Sequence, residues 1–161
     1  MVIFRCTQKL AKKFKLPLEK DCPETSTNIL GDWYFNYFIF ARKYYLLGVS
    51  EKSLLPVIIP AKEIKDFPAR LGGELNKILE FLGIEKQKID EETSAMQKIR
   101  FAATKSKIVL GCQNDSIRLL PYILDDNPHS SLLEISLTLG RTPFRSINYS
   151  NPLEITRECL S

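Results

Sequence analysis

The chain has 161 residues, 44% apolar and 26% charged, with a formal net charge of +4. That length fits one domain, 1–161, and buries enough surface to fold without a metal or a disulfide. The charge is uneven: residues 1–20 hold six basic side chains against Glu19, a net of +5, and the 17 basic and 18 acidic residues that follow come to −1, so a uniformly basic protein is excluded.

Val2–Cys6 reads as a strand. Thr7 suits the cap of a short helix, Gln8 to Lys15, with Leu10 and Phe14 turned inward and Lys9, Lys12 and Lys13 turned to water. Residues 16–31, with Pro17, Pro23 and Gly31, read as a loop whose composition predicts mobility. Trp33 to Ala41 is apolar on both alternating faces, as in a central strand. Arg42-Lys43 reads as a turn, followed by strands at Tyr44 to Val49 and Leu54 to Ile59. Together these make a meander. Pro56 cannot donate to a ladder and points to an edge position or a bulge.

Ile64, Phe67, Leu71, Leu75, Ile78 and Leu82 form a helical stripe beginning near Asp66 and stopping at Gly83. Gly72-Gly73 inside it predicts either close backbone packing or a break into two helices. Asp90 to Glu92 suits the first turn of a short helix, and Lys98 to Ala103 a further strand. Ser106 to Leu124 has helical spacing interrupted by Pro121, with a strand at Ile108 to Cys112 as the rival. Ser131-Leu-Leu-Glu134 is a capping box, and Asn151-Pro152-Leu153-Glu154 opens a last helix. The expected fold is α+β: an antiparallel sheet of about four or five strands with a meander core, covered on one side by helices.

Cys6, Cys22, Cys112 and Cys159 lack metal-ligand spacing and His129 is the sole histidine. We therefore expect no metal and no cofactor, with the thiols reduced. No basic segment leads into an apolar leader, and Trp33 to Ala41 is too short for a span. The expectation is a cytoplasmic protein without membrane contact. Phosphate-binding glycine loops are absent.

Three constellations have chemical content. Gly111, Asn114, Asp115 and Arg118 share one helix face and suit a polar ligand, although a solvated face with an Asp115–Arg118 pair is the simpler account. Asp32 and Trp33 open the central strand as further ligand-binding candidates, against a turn aspartate followed by a core aromatic. Lys9, Lys12 and Lys13 suit nucleic-acid phosphates, against a helix end favoured by its dipole. A nucleophilic pair of His129 with Cys22 or Cys112 is weaker, because His129 sits in a turn-like run before a helix cap.

The motifs Phe4-Arg5-Cys6-Thr7-Gln8-Lys9-Leu10, Leu30-Gly31-Asp32-Trp33-Tyr34 and Val109-Leu110-Gly111-Cys112-Gln113-Asn114-Asp115, together with Leu55-Pro56-Val57, Pro60-Ala61-Lys62, Leu132 to Leu137, Thr142-Pro143 and Asn151 to Glu154, resemble an uncharacterised bacterial family known only as a domain of unknown function. Cys112-Gln113 departs from the small residue and methionine expected there. The resemblance implies a bacterial cytosolic protein and a helix over Ser106 to Leu124, and it supplies no catalytic residue.

The functional expectation is a non-enzymatic binding or regulatory module recognising a protein partner, a second copy of itself or a polar ligand. One alternative is an enzyme with a site near Asp32, Asn114, Asp115 and Arg118, which requires those residues to converge on one pocket. The other is nucleic-acid binding through the basic N-terminal helix.

Overall fold

Alternation along Trp33–Phe40 sends Trp33 and Phe35 to one side and Tyr34 and Phe38 to the other, and all four are buried. A strand apolar on both sides needs a packed layer on each. The computed structural model, which describes residues 1–161, has that arrangement. Its sheet contains β1 (Val2–Cys6), β2 (Trp33–Phe40), β3 (Lys43–Ser50), β4 (Pro56–Pro60) and β5 (Ile99–Ala103), in the order β4-β3-β2-β1-β5.

The expected meander is β2-β3-β4, antiparallel throughout, with the proline-bearing β4 at the edge. The other half of the sheet differs from expectation: β1 runs parallel to both β2 and β5. The sheet is therefore mixed within an α+β fold. Parallel pairing requires a crossover, and α1 (Gln8–Phe14) with the following loop supplies it between β1 and β2.

Helices cover both faces, not one. On one face α1, α2 (Phe67–Phe81), α3 (Lys86–Ala95) and α6 (Pro152–Cys159) enclose the larger core. There the Phe67 ring lies 5.6 Å from Phe4 and 5.1 Å from Phe35. On the other face α4 (Lys107–Asp126) packs Val109 and Leu120 against Tyr34, Leu47 and Ile58. α5 (Leu132–Gly140) lies beside the edge strand and contributes Leu137 to the first core and Ile135 and Leu139 to the second. Its Ser136 hydroxyl accepts the Ile58 N–H at 3.0 Å, so one donor of the edge strand is satisfied inside the molecule.

Local signals account for most helix starts. Ser106, Ser131 and Asn151 each accept a backbone N–H three residues on, and Thr7 does the same for Leu10. The Ser106 cap starts α4 as one helix and excludes the rival strand. Gln113 then reaches the sheet from α4, its Nε2 donating to the Tyr34 and Leu47 carbonyls at 3.0 Å each. Gly72 and Gly73 lie in an unbroken α2, and a Cβ on either would meet nothing within 4 Å. Neither close packing nor a break explains them. Gly140 is different: a Cβ there would lie 2.6 Å from Leu153 Cδ2, so α5 and α6 depend on it for their approach. No helix is long and apolar enough to cross a membrane.

Candidate functional site

Arg5 is the single charged residue of β1, and strand register places it beside Tyr34 of β2 and Ala102 of β5. A guanidinium in a buried strand needs partners. Its Nε donates to Asp32 Oδ2 at 2.6 Å and its Nη1 to the Ala103 carbonyl at 2.8 Å. The second Asp32 oxygen accepts from the Ser26 hydroxyl at 2.6 Å, and that hydroxyl in turn accepts the Ile3 N–H. Both side chains of the ion pair are nearly buried, at 7% and 10% exposure. Arg5 Nη2 has no protein partner and is not sealed from solvent.

The loop before β2 is held in place at several points. Glu19 pairs with Ala102 of β5 in a short parallel bridge and forms an ion pair with Arg100 at 2.8 Å. Hydrogen bonding from Arg100 holds the Glu19 carboxyl below the usual range. Thr27 bonds the N-terminal ammonium and the Met1 carbonyl. The Glu92 carboxylate, on α3, accepts from Ile29 N at 2.5 Å and Asn28 Nδ2 at 3.2 Å. Burial pushes the Glu92 carboxyl above its ordinary value, opposed by those same hydrogen bonds. Composition predicted a mobile loop, but Ser26, Thr27 and Asn28 are bonded to the body of the protein. Gly31, with φ +77°, makes the turn into β2 in a conformation that L side chains rarely adopt.

These elements enclose a cleft of about 640 Å³, lined by Arg5, Ser26, Asp32, Tyr34, Lys52 and Lys105 among others. Asp32 is paired with Arg5, and Glu24 with Arg100. Lys52 and Lys105 take part in no ion pair. The Tyr34 oxygen accepts the Ser106 N–H at 3.0 Å, and burial raises its pKa, so the phenol keeps its proton and stays a donor. Ser106 begins α4 and lines the cleft, so the positive end of a 20-residue helix adjoins it. The unspent groups are mainly donors and cations, with Glu51 the carboxylate left over.

Of the residues singled out in the sequence, Asp32 lies in the cleft. Trp33 faces the opposite layer, fully buried and with its Nε1 unpartnered. Asn114, Asp115 and Arg118 are exposed on α4, with Asp115 and Arg118 paired at 3.5 Å. Asp115 and Gly111 border a separate groove of about 480 Å³ beside Phe144 and Ser146, which Asn114 and Arg118 do not line. These residues do not converge on one pocket. Lys9, Lys12 and Lys13 are exposed on α1, away from the cleft. Burial pushes the Cys6 thiol up to about 12, which leaves it without thiolate at neutral pH. Cys22 borders the cleft without His129, which is exposed in the turn after α4. Sequence reasoning missed Arg5, Ser26, Tyr34, Lys52 and Lys105. A lone arginine within Val2-Ile-Phe-Arg-Cys6 was the available signal, because a charge in an apolar strand requires a distant partner.

A family model described as "Domain of unknown function (DUF6933)" matches residues 3–155. The chain belongs to that family. The matched span contains every residue of the cleft, so the cleft lies within the DUF6933 domain. No curated protein matches the sequence.

Proposed function

We propose that this DUF6933 protein is a non-enzymatic binding module whose cleft takes a small polar ligand bearing a carboxylate or phosphate. The observation that carries the reading is Arg5, which lines the cleft: buried to 6% exposure, fixed on two sides by Asp32 and Ala103, and with Nη2 making no hydrogen bond to the protein. A guanidinium held in this way is preorganised for an oxyanion, because its orientation is set before the ligand arrives. Lys52, Lys105 and the Tyr34 hydroxyl supply further donors around the same space. Binding without catalysis is supported by the state of two of the three cleft acids. Both Asp32 oxygens are engaged, and Glu24 is tied to Arg100, so neither is free as a general base. Glu51, the third, forms no ion pair and accepts only the Asp32 N–H, at 3.4 Å. The setting we assign is the bacterial cytoplasm, in keeping with the family resemblance.

Thermal unfolding tests the reading, since a ligand bound only by the folded state raises the midpoint. Inorganic phosphate or succinate, compared with chloride at equal ionic strength, should raise the midpoint saturably, and Lys105→Ala should remove most of that rise. No rise with either anion, or a rise that Lys105→Ala leaves intact, contradicts the assignment to this cleft.

A further inference from the structure

The opposite end of β2 has a different chemistry. There β2 turns into β3 through Ala41-Arg42, both at positive φ (50° and 64°). α1 lies across the strands beside this turn. Lys9 Nζ sits 4.6 Å over the Tyr37 ring and Lys13 Nζ 4.9 Å over the Tyr44 ring. Phe14 meets both rings edge-on, at 5.8 and 6.2 Å. Ala61 N donates to the Tyr44 carbonyl, which places Lys62 at the same end of the sheet. Together these segments border a recess of about 640 Å³, whose apolar walls come from Phe14, Tyr44, Tyr45, Pro60, Ala61 and Leu132 and whose only charged residues are Lys43 and Lys62. Three of the stretches that build this end, residues 1–15, 36–50 and 56–62, contain no Asp or Glu; α5, which adds Leu132, carries Glu134, and Glu63 follows Lys62. The cations here therefore have no acidic partner within those stretches, unlike Arg5, which is paired with Asp32.

We propose that this face binds single-stranded nucleic acid, with phosphates along Lys9, Lys13, Lys43 and Lys62 and one base in the recess against Tyr44 and Phe14. Cations spread over several elements suit a run of phosphates better than one compact anion. An aromatic recess among them accepts the face of a base, which a duplex keeps stacked inside. The cation–π pairs hold the Lys9 and Lys13 ammonium groups over the rings, and both lysines are exposed. The proposal is independent of the cleft and stands or falls without it.

Fluorescence anisotropy with labelled 12-nucleotide oligouridylate and oligothymidylate, at low salt, is the test. Both should bind more tightly than a duplex of the same length, with log affinity falling linearly in log salt. Lys13→Glu/Lys62→Glu should lower affinity about tenfold or more at 50 mM salt and flatten the salt slope. Tyr44→Leu keeps the strand apolar and should cost about fivefold or more through lost stacking. Lys105→Ala, in the cleft, should change nothing. Equal binding of duplex, or displacement by polyphosphate as effective as by the oligonucleotide, overturns base recognition. Failure of either oligonucleotide to bind while anilinonaphthalene sulfonate occupies the recess overturns the proposal in favour of a small amphipathic anion. Circular dichroism of the lysine variants should match the parent.

Discussion

The eight residues of β2 join two sites about 25 Å apart, and the two ends treat charge in opposite ways. At the Asp32 end, a cation is buried, paired and fixed by strand register. At the Tyr37 end, Lys9 and Lys13 stand on aromatic rings at the surface, and no carboxylate lies in the 1–15 segment that carries them. A buried charge is fixed in place and expensive to disturb. An exposed cation is cheap to remove for folding and is screened by salt. The first arrangement suits one small ligand in one orientation, and the second suits a polyanion that contacts several side chains weakly.

The contrast should break most visibly in stability. Arg5→Met leaves Asp32 buried without its cation and should cost about 3–5 kcal/mol in urea unfolding. Lys13→Met, at the other end, should stay within about 0.5 kcal/mol. Similar losses from the two would mean that Arg5 is not the organising charge of its end. Next in size is the hairpin tip. Ala41→Asn/Arg42→Gly places residues suited to positive φ in a two-residue turn and should stabilise by about 1–2 kcal/mol in the same assay, while weakening oligonucleotide binding through the lost Arg42 charge.

A third expectation concerns Glu92, which holds the loop over the cleft. Its carboxyl titrates higher in the folded state than in the unfolded one, so the folded state keeps the proton over the interval between. Stability should then fall as pH rises through that interval. The penalty is absent below the unfolded value and complete above the folded one. Glu92→Gln should remove this slope when unfolding is followed from pH 3.5 to 7, whereas Lys12→Gln at the other end should leave it unchanged. The smallest effect lies in α2, remote from both ends: Gly72→Ala and Gly73→Ala should each stabilise by up to about 1 kcal/mol, because a Cβ there meets open space.

What could be read from the sequence followed from local physics. The caps at Thr7, Ser131 and Asn151, the β2-β3-β4 meander and the edge position of Pro56 all rest on neighbours within a few residues. The two-sided apolar pattern of Trp33 to Phe40 requires a packed layer on each face, which helices on one side alone do not supply. Parallel pairing of β1 was less accessible, because it depends on a crossover and not on a turn; the strand–helix–strand order of residues 2–40 was the clue. The cleft was hardest. Arg5 comes from β1, Asp32 and Tyr34 from the start of β2, and Ser26 and Lys105 from two loops, and no periodicity links them. Asp32 was found because it begins a strand. Asn114, Asp115 and Arg118 were chosen because helical spacing groups them, but a shared exposed face is not a shared pocket. At the basic end, the lysines were visible as charges, whereas their seats on Tyr37 and Tyr44 required the packing of α1 across the hairpin.

The central claim is that the preorganised donors around Arg5 form a binding site. Amide chemical-shift mapping of the whole chain during titration with inorganic phosphate and with succinate tests it most directly. Saturable shifts confined to Ser26, Asp32, Tyr34, Lys52, Lys105 and Ser106, with little change at Lys9, Lys13 or Tyr44, are the predicted result. Shifts that never saturate, or that concentrate on α1 and the Ala41-Arg42 hairpin, would contradict it.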